Sequence, residues 1–159
     1  MKKNDQKALT QIIGLGIISG MRTTFASAVM SHYLSKEHNA ALSASKLGFM
    51  QSPVTATVTK LLSAGEVVGD KLPNTPNRIV APPVVARVAA GAFAGAVICT
   101  ANKASMAKGI LIGGGTALAA TFGTYYLRKL VSENTFIKEP ASGAVEDVIA
   151  IGSGALLMK

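Results

Sequence analysis

Several charged side chains of this sequence stand inside long apolar stretches. Arg22 lies midway along an apolar run at residues 10–34, and Lys60 and Glu66 lie within a second run at 53–70. A charge in hydrocarbon costs about 2.5 to 10 kcal/mol or more, so such residues pair, line a wet cavity or face a bundle interior. Thr55, Thr59, Ser63, Glu66 and Asp70 recur at about every fourth residue and line one helical face. Lys71 and Arg78 follow Asp70, Arg87 opens a third apolar run, and Glu146 and Asp147 open the last. The expected polar site is therefore drawn from Arg22, Glu66, Asp70, Lys71, Arg78, Arg87, Glu146 and Asp147. No acid lies between residues 10 and 34, so the counter-charge of Arg22 comes from another helix, lipid or water. Glu66 is the first candidate and Glu146 its pseudo-symmetric equivalent. A purely structural reading, with charges marking helix ends, suits Asp70, Lys71, Arg87 and Asp147 best.

Other chemistries find no support in the residues. The single Cys99 lies in an apolar run and has no second thiol for a disulfide or a metal, and His32 and His38 do not form a zinc pattern. Lys71 and Arg78 have the Lys-x6-Arg spacing of membrane lipid-phosphate phosphatases. Ile79 stands where those enzymes need proline, however, and no His occurs beyond His38. No nucleophile–base pair is apparent. Gly113-Gly114-Gly115 lacks the following Gly-Lys-Ser/Thr of a phosphate loop. The expectation is a non-enzymatic protein without cofactor or metal. The net charge of +8 forms no basic stripe, so nucleic acid is not the expected partner. Lys and Arg instead flank apolar segments, where they meet anionic headgroups, and membrane lipid is the expected partner.

The elements that must position these charges are membrane helices. Hydrophobic residues make up 49% of the 159-residue chain and charged ones 15%, against about 25% in soluble domains. With 16 Gly, no Trp and 5% aromatics, burial rests on small residues, the composition of closely packed membrane helices. Mean hydropathy is +0.39. The predicted fold class is all-α, a single-domain polytopic membrane helix bundle. Five segments are drawn: A, 10–34; B, 53–70; C, 84–101; D, 107–131; and E, 141–158. Each has the length of a span, about 17–25 residues. B is the weakest, because its valines and leucines offset only about 3 kcal/mol of the cost of its charges. It needs bundle partners, or is re-entrant or interfacial. Residues 40–50 suit a short interfacial helix.

Gly16-x-x-x-Gly20, Gly91-x-x-x-Gly95 and Gly109-x-x-x-Gly113 give A, C and D faces of close approach, for packing within the chain or between copies in a homo-oligomer. The run Gly113–115 is a candidate point of unwinding in D. A also resembles D. At a constant shift, Gly16, Ile17, Gly20, Thr23, Ala26, Tyr33, Leu34 and Lys36 match Gly109, Ile110, Gly113, Thr116, Ala119, Tyr126, Leu127 and Lys129. Ala64-x-Glu66-x-Val68 in B is echoed by Ala144-x-Glu146-x-Val148 in E. If B spans, A/B against D/E is an inverted repeat, as in transporters.

The N-terminus has the outline of a signal peptide, with Lys2, Lys3 and Lys7, an apolar stretch and Ala26-Ser27-Ala28. Arg22 interrupts that stretch and the apolar run continues past it, so an uncleaved first helix is expected. In the five-span arrangement, one side holds nine basic residues and the other five, which predicts a cytoplasmic N-terminus and an outward C-terminus.

Gly65-Glu66-Val67-Val68-Gly69-Asp70-Lys71-Leu72-Pro73-Asn74-Thr75-Pro76-Asn77-Arg78, continued by Ala81-Pro82-Pro83, Ala86-Arg87, Gly91-Ala92 and Gly95-Ala96, resembles the signature of a bacterial domain-of-unknown-function family of small integral-membrane proteins. The Glu146-Asp147 pair and Arg22 resemble that family too. The resemblance implies a multi-pass protein of a bacterial inner membrane and no particular activity. Two functions are expected to compete. One is a small transporter, channel or flippase-like protein with an intramembrane charged site. The other is a non-catalytic membrane scaffold or assembly factor.

Overall fold

The computed structural model describes residues 3–69, 80–134 and 139–158; the side chains at 3–4, 128, 131–134 and 139–147 are outside the description. The described residues form seven α-helices and one 3-10 turn, with no strand among them. The helices are α1 (Lys3–Met21), α2 (Phe25–Leu34), α3 (Ala40–Ser43), α4 (Pro53–Gly69), α5 (Ala81–Ala101), α6 (Met106–Asn134) and α7 (Glu139–Leu157). The 3-10 turn, Gly48–Gln51, precedes α4.

Local chemistry sets several of these boundaries. Ser52 accepts from the Val54 N–H at 3.2 Å and Pro53 opens α4, a capping serine followed by proline where no donor is lost. Asn39 caps α3 by accepting from the Leu42 N–H at 3.0 Å. At the end of α5, Ala104 N–H donates to Cys99 O at 2.8 Å and Lys103 N–H to Thr100 O at 3.1 Å. This is a Schellman motif, with Lys103 in the left-handed position at φ 54°. It turns the chain straight back into α6.

α1, α5 and α6 form a seam of backbones. A methyl group placed on Gly91 would lie 2.5 Å from Gly113 O, and one on Gly95 would overlap the Gly109 carbonyl. Gly16 lies against Thr116 and Gly113, and Gly20 against Ala117, Ala120 and Thr121. Small residues permit this close approach of backbones. The hydroxyls of Thr116, Thr121 and Thr124 bond carbonyls one turn back, so α6 carries them without needing water. Thus the six glycines on GxxxG faces are all occupied within one chain.

Helix directions follow from these contacts. Residues 91 and 95 meet 113 and 109, so α5 and α6 are antiparallel, whereas 16 and 20 meet 113–116 and 117–121, so α1 and α6 are parallel. α7 runs against α1, because Leu157 lies on Gly14 and the Gln11 amide donates to Leu157 O at 3.0 Å. α1 therefore starts and α7 ends at one end of the bundle, called the lower end below.

Segment A is not one continuous helix. It breaks at residues 22–24 and α2 turns back, so that Ile18 and Val29 both lie against Gly154. In a straight helix they would stand about 16 Å apart. Asn39, just past α2, donates to Ala101 O at 3.1 Å, at the lower end. This fold-back changes the parity of every later segment. It departs from the reading of A as a single helix and places the end of α7 beside the start of α1. It also leaves α1 and α6 parallel, where an inverted A/B–D/E repeat needs opposite directions. Segment D, for its part, is not unwound at Gly113–115. α6 runs unbroken for 29 residues, because Gly113 serves to seat α5 while the helix keeps its own hydrogen bonds.

The outside of the bundle is apolar and its inside holds charge. Val54, Leu61, Leu111, Val148 and Leu156 are 67–75% exposed, whereas Arg22 and Arg87 are 4% and 5% exposed. Two helical stretches, Ala81–Ala101 and Met106–Leu127, are long and apolar enough to cross a membrane. Residues 40–50 contain α3 and part of the 3-10 turn. Leu42 and Met50 are buried and Phe49 stacks on Phe93, which ties this link to the core.

Candidate functional site

A helix that ends inside a bundle exposes N–H groups at one side of the break and carbonyls at the other. Here each set meets a side chain from another helix. Glu66 of α4 takes the donors: Thr23 N–H reaches Oε1 at 2.8 Å, and Thr24 N–H and hydroxyl reach Oε2 at 2.8 and 2.6 Å. A carboxylate at the start of α2 also faces the positive end of that helix's dipole. On the α1 side, Thr121 of α6 shares its hydroxyl proton between Ala117 O at 2.8 Å and Gly20 O at 3.3 Å. The break is held by the fold rather than frayed.

Three contacts tie α2 to α4 along their antiparallel length. Below Glu66, the Ser31 and Thr59 hydroxyls are 2.7 Å apart, and Lys60 Nζ lies 2.9 Å from His32 Nδ1. A charged ammonium has no acceptor, so Lys60 donates and the neutral imidazole carries its proton on Nε2. Ala56, Thr59, Ser63 and Glu66 thus form the inner face of α4, and Val54, Val58 and Leu61 the outer. This polar-inward, apolar-outward helix is the inverse of a soluble amphipathic helix.

α2 is also the floor of a cavity of about 720 Å³ walled by α4 and α7. Phe25, Val29 and Tyr33 line the floor. Val67 and Val68 line one wall, Ile151 and Ala155 the other. His32 and Lys60 mark its lower part, with Ser63 between them and Glu66. The size and apolar lining suit a small-molecule site.

Of the residues expected from sequence, Glu66 is brought to the two residues after Arg22, and what meets its carboxylate is backbone and hydroxyl. Arg22 and Arg87 are buried and neither is without a partner. Asp70, Lys71 and Arg78, and the side chains of Glu146 and Asp147, lie outside the described residues. Among the described residues no group of His, Cys, Asp or Glu forms a metal cluster. Sequence reasoning missed the pairing of His32 with Lys60 and the cavity beside it. It also passed over Thr23-Thr24-Phe25, where two hydroxyl residues before an apolar run are a helix-start signal.

A family model described as Domain of unknown function (DUF4126) matches residues 9–159. No curated protein and no solved structure matches the chain.

Proposed function

The chain belongs to the DUF4126 family, and from that premise we propose a small multi-pass protein of the bacterial cytoplasmic membrane that moves an amphipathic molecule through the cavity between α2, α4 and α7. The reading is non-enzymatic. The observation that carries it is the cavity itself: its floor is a helix that folds back within the bundle and is anchored by a carboxylate. Broken helices with polar ends at mid-bundle are the way transporters bring backbone dipoles to a substrate. Membrane embedding draws on the two long apolar helices and on the apolar exterior around buried Arg22 and Arg87. α1, α2, α4, α5, α6 and α7 then alternate in direction. Lys7, Lys36, Lys46, Lys103 and Lys108 belong to the lower end, so the start of α1 and the end of α7 are read as cytoplasmic by the positive-inside rule.

The test is translocation in proteoliposomes. A headgroup-labelled phospholipid in the inner leaflet is made accessible to an external quencher by the wild-type protein and more slowly by Glu66→Ala. Equal protection with and without protein removes the transport reading.

A second reading, a scaffold or assembly factor, is favoured by one observation. Both oxygens of Glu66 are satisfied inside the protein, which suffices for a structural cap. Retention of biological function by the charge-free pair Arg22→Met with Glu66→Leu supports that reading over transport.

A further inference from the structure

The cavity is chemically polarised along α2. Its lower end carries Lys60 and His32, with Lys36 one turn beyond His32 on the chain. Its upper end is lined by Phe25 and Val67, and Glu66 is not part of the lining because its carboxylate is turned to the N–H groups of Thr23 and Thr24. Above Lys60 and His32 the lining is apolar apart from Ser63. An anionic group is attracted to the lower end, and a hydrocarbon chain fits the apolar lining above it. The lower end is also the end where α1 starts and α7 ends, with Lys7, Lys103 and Lys108 belonging to it.

We infer that this cavity is a binding site for one anionic phospholipid of the cytoplasmic leaflet, its phosphate at Lys60 and His32 and an acyl chain running up between α4 and α7. The inference rests on reading the cavity as a substrate site, and it names the substrate class. Lys60 has two further N–H donors besides the one on His32, and neutral His32 holds its Nε2 proton for a phosphate oxygen. Zwitterionic lipid offers the same chains with a cancelling charge, and free phosphate offers the charge without the chain.

The full chain in a neutral maltoside detergent is titrated with phosphatidylglycerol, with phosphatidylcholine of the same chains and with inorganic phosphate. Binding is read by native mass spectrometry and by the shift in melting temperature. Phosphatidylglycerol is expected to bind about tenfold more tightly than phosphatidylcholine, the scale of one added charge-assisted contact. Inorganic phosphate alone is expected to give no shift. Lys60→Gln, or Lys36→Gln should the first fold poorly, removes the preference, and Ala155→Phe, which fills the cavity, weakens both lipids. Equal affinity for the two lipids marks ordinary boundary lipid and overturns the inference. So does a full shift with phosphate alone, or lipid binding untouched by Ala155→Phe. Translocation that persists without anionic preference sinks this inference and leaves the transport reading standing. Anionic binding without translocation does the reverse.

Discussion

The α1–α5–α6 seam and the α2–α4 pair are both helix contacts between short-chained faces, yet they are held by different physics. In the seam, backbones touch: Gly91 and Gly95 lie on Gly113 and Gly109, and there is no room for a single added methyl group. In the α2–α4 pair, polar side chains make the contact. Glu66, Thr59 and Lys60 reach across to Thr23, Thr24, Ser31 and His32, and a cavity remains beside them. Dispersion over a glycine face gives a rigid contact without a binding site. Polar ties fix α4 on α2, and the space for a ligand lies beside that pair, between α4 and α7. The site belongs to the second region, and the seam is the frame that fixes it.

The comparison breaks most readily in the seam. Gly95→Leu and Gly91→Leu force the backbones of α5 and α6 apart, and overpacking of this kind costs about 3 kcal/mol or more. Folded yield in detergent should collapse for both, and an unchanged melting temperature for either would show that the face does not pack as described. Next in size is Glu66→Ala, which strands two N–H groups at the start of α2. A loss of about 3 kcal/mol is expected, with Glu66→Gln losing roughly half as much because its amide keeps one acceptor. If Gln and Ala melt alike, the carboxylate is not a cap. Thr59→Val removes the acceptor of Ser31 from the middle of the pair and should cost about 1 kcal/mol. A silent substitution there would mean the two helices are held at their ends alone. Smallest is Lys103→Gly in the α5–α6 turn. Relief of the left-handed backbone should stabilise the hairpin by about 1 kcal/mol, visible as a raised melting temperature.

Topology offers a separate check on the fold-back. Reporters at the two termini should give the same cytoplasmic signal. Opposite signals would mean that α1 and α2 form one span.

Much of the seam could be read before folding, because GxxxG spacing puts small residues on one face whatever the neighbouring helix is. An all-helical chain was likewise legible, since apolar runs of this length satisfy their own backbone only as helices. The reversal at residues 22–24 was not. Arg22 and the two threonines are compatible with a helix, and local preference there is weak. Lys60 looked like a liability in segment B, and His32 like an unused side chain. Their pairing depends on α2 and α4 lying antiparallel.

The sequence by itself determined which stretches are helical and which glycine faces approach closely, because these depend on spacing and on the cost of moving groups out of water. Only the tertiary structure decided that segment A turns back on itself. That outcome needs Glu66 from α4 and Thr121 from α6 to satisfy the broken backbone, and those partners lie 42 and 101 residues away from the groups they serve. Whether a helix end is tolerable inside a bundle is settled by what waits there to meet it.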